Sequence, residues 1–373
     1  MDIEELMSMT KEREASDLIL TAGSPPILRI DKRIVFTKLS ALSPGQIDKL
    51  LEPLMDEDKK ARFKKSSEVS FIYSMSGWGR FRVTVFKQRG SAAIAIRKFC
   101  YNLPAIEELN LPAPPLEYCR GLTKGLVLVT GPVGGGKSTT LACVIRMKNN
   151  NDALHIITLE NPIEYLFEHG KSVIEQREIP YDSPSFSVAL QDVFRQSPDV
   201  VVVGEIHDQA TMRETLRVAE SGILVLATFH TSTAADTINS VINFFPKEEV
   251  QIRFQLSLVL RGVFSQQLIP VYQKQGVIPA WEWLVVTESV SSIIREGNIQ
   301  QIDNVIETGA KFGMQSMDQS LMNLYTRKLI SKNDLFLRLR YKERAAEVQK
   351  QEPLLEGDEI GPAKEPDTYH PNF

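Results

Sequence analysis

Gly131, Pro132, Val133, Gly134, Gly135 and Gly136 run into Lys137, Ser138 and Thr139, with glycine, lysine and serine spaced as in a loop that wraps a phosphate. The glycines let successive backbone N–H groups turn inward. The start of a following helix adds partial positive charge, Lys137 adds a full one, and the Ser138 hydroxyl can hold Mg²⁺. The apolar residues 126–129 before the loop and residues 139–145 after it predict a buried strand and a helix, which is the context such a loop requires. The chain therefore reads as a binder of a nucleoside triphosphate.

Binding alone does not hydrolyse. A metal-positioning acid and a group that orients water are also needed, and two glutamates stand where apolar runs end. Glu205 closes the valine run 200–203, placing it where it can reach Mg²⁺ opposite Ser138. Glu160 closes the run 155–159 and falls on the same carboxyl edge of the sheet, where ligands of open α/β sheets bind. One glutamate for metal and one for water is a workable division; the bland reading of each is an exposed acid at a strand end. His230, after the run 223–227, lies in the polar group Thr228, Phe229, His230, Thr231, Ser232 and can donate toward a terminal phosphate. His155, His169 and His370 show no metal-ligand spacing.

The elements that must position these residues follow from patterning. Four uninterrupted valines suit a strand covered on both faces, so residues 125–342 predict a parallel sheet wound with helices. A hairpin pattern spans 268–286, and helical periodicity marks 289–297, 299–309, 315–329 and 331–342. Residues 1–99 read as a small α+β module: strands at 17–20, 26–30 and 33–36 with a turn at Asp31 and Lys32, a helix opened by Ser43 and Pro44, and strands at 80–86 and 92–97. Prolines at 104, 112, 114 and 115 make residues 100–124 read as a linker.

Composition narrows the classes. The 373 residues carry a net charge of −4, and the tail 342–373, with eight acids against four bases, accounts for all of it. Residues 343–373, proline-spaced and acidic, are expected to be disordered. The body is balanced, with only short basic groups such as Lys59–Lys60 and Lys64–Lys65, so a nucleic-acid partner is not expected. The N-terminus lacks a basic stretch followed by an apolar core, which predicts a cytoplasmic protein. Cys100, Cys119 and Cys143 are scattered and encode neither a disulfide framework nor a zinc site; buried thiols are the expectation.

Residues 131–138, the stretch 157–164, the run 197–206 and residues 228–232 resemble, in that order, the Walker A, Asp-box, Walker B and His-box motifs of secretion-superfamily ATPases. Within that superfamily the chain resembles the type IV pilus retraction ATPases, the PilT/PilU family, over about residues 1–342, including Gly79, Arg80, Phe81 and Arg82 and, further on, Gly313, Met314, Gln315 and Leu321. The resemblance implies ATP and Mg²⁺ as cofactors, a RecA-like domain with a PAS-like N-terminal domain, and a homohexameric ring with nucleotide between the two domains. It also implies that Glu160 orients the attacking water, that Glu205 assists Mg²⁺, that His230 is the His-box residue, and that Arg82 and Arg97 approach the phosphates. The implied partners are a PilT-like paralogue and a pilus platform protein of the inner membrane, at which the ATPase would sit peripherally.

Three positions depart from the family pattern. Asn161 replaces an aspartate, His207 replaces an arginine, and Gln191 replaces the first of two arginines while Arg195 keeps the second. Each removes a charge, so binding should survive while hydrolysis slows, which tilts the expectation toward the PilU-like accessory branch. Two rivals stay open: a nucleotide-binding ring subunit that hardly hydrolyses, and a DNA-directed RecA-type motor.

Overall fold

A computed structural model describes residues 2–341 apart from 31–32, 76–78, 99–102 and 275. The expected turn at Asp31 and Lys32, Cys100 and the acidic tail 343–373 lie outside the described residues.

Two sheets organise the chain. The first is antiparallel and built from β1 (Asp17–Thr21), β2 (Ile27–Ile30), β3 (Arg33–Phe36), β4 (Glu68–Met75), β5 (Gly79–Gln88) and β6 (Ser91–Lys98), in the order β3-β2-β1-β6-β5-β4. Arg89 and Gly90, both at positive φ (49° and 82°), join β5 to β6 in the two-residue turn whose twist matches its strands. Alternation decides which face is dry. Phe81, Val83 and Val85 of β5 and Ile94 and Ile96 of β6 are buried with Ile3, Leu6, Met7, Ile47, Leu50 and Leu51 of the helices Ile3–Glu12 and Pro44–Leu51. The same period of two sends Arg80, Arg82 and Arg97 to the other face. Ser43 caps its helix as its sequence predicts, accepting from the Gln46 N–H.

The second sheet contains β7 (Gly125–Thr130), β8 (His155–Glu160), β9 (Val173–Glu178), β10 (Val200–Val203), β11 (Leu224–Phe229), β12 (Leu260–Pro270) and β13 (Val277–Val285), ordered β13-β12-β7-β11-β10-β8-β9. All neighbours pair in parallel except β12 and β13. The predicted parallel sheet is therefore present, and β7, β10 and β11 are buried along their whole length. Parallel pairing puts the carboxyl ends of β7, β8, β10 and β11 along one edge, with Val203 level with Leu159 and Ala227. The expected hairpin is longer than its pattern, and its first strand joins the sheet beside β7. Beyond it lie helices Glu288–Glu296, Ile302–Thr308, Met317–Thr326 and Lys332–Arg338.

The expected linker is not a bare connection. It contains the helix Ala113–Gly121, which buries Leu116 and Cys119 against the main core. Arg146 and Lys148, on the helix Lys137–Asn151, hold the carbonyls of Leu103, Pro104, Arg120 and Leu122. Pro114 and Pro115 sit in the first helical turn, where a missing N–H costs nothing, so prolines read as breakers here open a helix. Cys119 and Cys143 are buried free thiols, pushed up to about 12 and about 11 by that burial.

Candidate nucleotide site

At the end of β7 the backbone leaves no room for a side chain. Gly131 has φ 143°, and a Cβ there would lie 2.1 Å from the Gln266 carbonyl oxygen on β12. The loop then turns into the helix Lys137–Asn151, whose first N–H groups are free to face an anion. Gln266, fully buried, braces the turn from below: its amide donates to the Gly135 carbonyl at 2.5 Å and its oxygen accepts from the Thr140 hydroxyl at 2.6 Å. Lys137 Nζ is parked on the carbonyls of Gly131 and Pro132, 2.9 Å each, and lies 3.3 Å from His230 Nδ1. Burial depresses its pKa, opposed by Glu205 and Glu164, so the ammonium faces two acids across a cleft.

That cleft, about 290 Å³, is lined by Lys137, Ser138, Glu160, Asn161, Glu164, Glu205 and His230, with Val133 and Gly134 of the loop and Arg82 of β5 also on its wall. Four segments far apart in the chain thus meet at one edge of the sheet, as their strand-end positions predict. Gly204 makes the meeting close: a Cβ there would be 3.0 Å from the Leu159 carbonyl and 3.2 Å from Glu160 Cα. Glu205 receives one imidazole on each oxygen. His207 Nε2 is 2.9 Å from Oε2, and His230 Nε2 addresses Oε1. Because the Lys137 ammonium only donates, His230 Nδ1 accepts and its hydrogen sits on Nε2.

The two glutamates of the stretch 157–164 have different partners. Glu160 Oε1 accepts from the Thr158 hydroxyl at 2.6 Å and from the Gln176 amide at 3.1 Å, and burial raises its pKa. The Ser138 hydroxyl donates instead to Glu164 Oε1 at 3.0 Å. Glu164 was missed because it lies four residues past the strand end, in a loop whose return path is not written in its composition. Its neighbour Tyr165 shares a 2.8 Å hydroxyl contact with Thr139. Gln266 did leave a signal, lying in the polar run Ser265, Gln266, Gln267 between apolar residues of its strand.

The arginines separate. Arg82 reaches the cleft wall, where burial and then the nearby Arg97 lower its pKa. Arg97 does not line the cleft: its Nε is 2.8 Å from Asp17 Oδ1, and the side chain is 61 % exposed. Its position beside Arg82 in the β5–β6 register brings it near, but Asp17 on β1 holds it at the sheet surface. Of the three departures, Asn161 lines the cleft and His207 contacts Glu205, while Gln191 donates to Glu214 and Arg195 pairs with Asp192, both away from the cleft lining. Between the sheets, Arg80 Nη2 meets the buried Glu178 Oε2 at 2.7 Å and the Tyr181 hydroxyl donates to the Ser70 carbonyl at 3.0 Å.

The oxygen set of Ser138, Glu164 and Glu205 suits a hard cation such as Mg²⁺, and the loop N–H groups with Lys137 suit its phosphate partner. Among the described residues no helix is long and apolar enough to cross a membrane.

Comparison with known proteins agrees with this geometry. Residues 80–334 match the family model of the type II/IV secretion system proteins. The type IV pilus ATPase PilU of Pseudomonas aeruginosa is 36 % identical over 335 residues, 90 % of this chain and 87 % of that protein. The type IV pilus retraction ATPase PilT of the same organism is 38 % identical over 335 residues, 90 % of this chain and 97 % of its own length. A crystal structure of the pilus retraction motor PilT with bound ADP superposes with a TM-score of 0.86 at 40 % identity, covering 92 % of this chain and 98 % of that one. The tilt toward the PilU-like branch is therefore corrected: identity is slightly higher to PilT. The chain belongs to the type II/IV secretion system protein family, among its PilT/PilU-like members, and is a P-loop ATPase.

Proposed function

We propose that this chain is the subunit of a homohexameric ring that hydrolyses Mg·ATP on the cytoplasmic side of the inner membrane and powers retraction of a type IV pilus, docked there through a platform protein and able to work beside a PilT-like or PilU-like paralogue. The observation that carries the reading is the convergence of Lys137, Ser138, Glu160, Glu164, Glu205 and His230 on one cleft, with Arg82 reaching it from the other sheet. When bound, Mg²⁺ neutralises charge on the phosphates, and Ser138, Glu164 and Glu205 are the side chains placed to hold it. Lys137 leaves its two loop carbonyls for phosphate oxygen, and the helix start supplies N–H donors. We assign Glu164 to the metal side and Glu160, held by Thr158 and Gln176, to positioning water. Arg82 would add charge at the phosphates as the two sheets close.

Turnover by purified protein tests the enzyme assignment. Lys137→Ala and Glu205→Gln should each lower kcat by about 100-fold or more, as losses of electrostatic stabilisation do. Glu160→Gln should lower kcat with nucleotide affinity kept, and Glu164→Gln should raise the Mg²⁺ requirement; the reverse pattern would exchange the two roles. Pilus retraction in cells carrying Glu160→Gln, compared with a deletion, tests the motor reading.

One observation favours a second reading. Both Glu205 oxygens are already taken by imidazoles, so the subunit as it stands can hold nucleotide without using that carboxylate. A ring subunit that binds ATP for assembly and hydrolyses it slowly would show tight binding with single-turnover rates no faster than steady state.

A further inference from the structure

Glu205, His207 and His230 bring three ligand atoms within 4.8 Å of one another. Rigid elements hold them. Glu205 follows β10 and His230 follows its parallel neighbour β11. Between Glu205 and His207, Ile206 is buried and its N–H is fixed to the Thr228 carbonyl at 3.1 Å, while Asp208 caps the helix Gln209–Glu220. The two imidazoles lie nearly parallel, at 20° with centroids 6.1 Å apart, and both present Nε2 to one carboxylate.

This donor set is wrong for Mg²⁺, which takes oxygen in near-ideal octahedra. Imidazole nitrogen suits zinc-like ions, and two histidines with one carboxylate and an open side make a three-ligand zinc site. Tetrahedral bonds of about 2.0–2.1 Å put ligand atoms about 3.3 Å apart, within reach of side-chain rotation from the present spacing.

We propose that Glu205, His207 and His230 form a site for one divalent transition-metal ion of the zinc type, and that the ion blocks ATP turnover by withdrawing Glu205 and His230 from the nucleotide cleft. Without the ion, each ring turns Nε2 toward Glu205, with a ring hydrogen between them. With it, the Nε2 lone pairs bind the metal and that hydrogen moves to Nδ1 of the same ring, so the exchange itself neither gains nor loses a proton. His230 Nδ1 then carries hydrogen where the Lys137 ammonium lies 3.3 Å away, and two donors cannot share a bond. Loading therefore breaks the Lys137–His230 contact while the lysine keeps both loop carbonyls.

Co²⁺ is the probe, titrated into the purified full chain free of nucleotide and Mg²⁺. The expected result is the visible absorption of tetrahedral Co²⁺ saturating at one ion per chain and bleached by Zn²⁺. His207→Gln, at a side chain 55 % exposed, should weaken Co²⁺ binding by about 100-fold, whereas His155→Gln, at the separate His155–Glu175 pair, should leave it unchanged. No tetrahedral spectrum, or a His207→Gln titration matching wild type, overturns the site. For the blocking claim, Zn²⁺ is added at saturating Mg·ATP and each protein is compared with its own metal-free rate. Wild type should stop at Zn²⁺ concentrations about 100-fold below those needed for His207→Gln; equal sensitivity overturns it. The spectrum is read without nucleotide, so its failure leaves the ATPase and motor assignments standing, and their failure leaves the site standing.

Discussion

Glu282 on β13 is only 4 % exposed, yet it carries a carboxyl group between two helix starts. Its Oε1 accepts from the Ala234 N–H at 2.7 Å and its Oε2 from the Met317 N–H at 3.4 Å, so one side chain ties the helices Ala234–Asn243 and Met317–Thr326 to the strand. Those donors favour the anion, but burial opposes it more strongly, and the pKa is pushed from 4.5 up to about 7. A carboxyl whose folded pKa lies above its unfolded value stabilises most below the unfolded pKa and loses that contribution as pH rises through the folded one. The window therefore runs from about 4.5 to about 7, with a full span of about 3 kcal/mol at 1.36 kcal/mol per unit. Between pH ~8 and pH ~5.5, wild type should gain about 2 kcal/mol from this group. Glu282→Gln removes the titration; its amide facing the Met317 N–H adds an offset that is equal at both pH values and cancels. Urea unfolding followed by the fluorescence of Trp281 and Trp283, which flank Glu282, reads the strand directly. The expected outcome is a wild-type-minus-variant stability difference about 2 kcal/mol larger at the acidic pH. A difference independent of pH, or one that grows with pH, would refute the argument that burial dominates the two N–H donors.

Three further outcomes follow from local geometry. Gly131→Ala should fold but lose nucleotide affinity by at least about tenfold, since a Cβ 2.1 Å from the Gln266 carbonyl must displace the loop; nucleotide titration calorimetry reads it, and unchanged affinity would disprove the constraint. Arg80→Met leaves Glu178, 5 % exposed, without its ion partner and should cost about 3–5 kcal/mol in denaturant unfolding, with Arg80→Met/Glu178→Gln recovering part of it. Cys119 and Cys143, with thiols raised to about 12 and about 11, should resist alkylation at neutral pH until urea opens the main core; fast labelling of either in the native state, located by peptide mass, would contradict their burial.

The parts of the fold legible from sequence were those where a single physical demand dominates. Buried parallel strands need apolar residues on both faces, and the runs at β7, β8, β10 and β11 declare themselves. β9 does not, because an edge strand reading Val-Ile-Glu-Gln-Arg-Glu has one partner and needs only alternate burial, shown by Ile174 and Glu178. The helix Ala113–Gly121 was hidden by its own prolines. Their count suggested a break, whereas their placement in the first turn makes them compatible with a start.

At the site, the line between legible and illegible falls between strand ends and what lies beyond them. Lys137, Ser138, Glu160, Glu205 and His230 sit within a residue or two of a strand or helix terminus, so parallel topology alone collects them on one edge. Glu164 depends on the path of the loop after Asn161, and no spacing rule says that this path returns its carboxylate to the Ser138 hydroxyl. His207 depends on a neighbour relation: it is 23 residues from His230 in sequence, and only the pairing of β10 with β11 makes the two rings share Glu205. Read from sequence, His207 was a missing positive charge; in the fold it is a second imidazole on the carboxylate expected to serve the metal. That change of meaning concerns function, because a lost charge predicts weaker phosphate contacts while an added imidazole predicts competition for Glu205. Mg²⁺ dependence separates the two: competition raises the Mg²⁺ needed for turnover and is relieved by His207→Gln, whereas a lost charge is not restored by that neutral substitution.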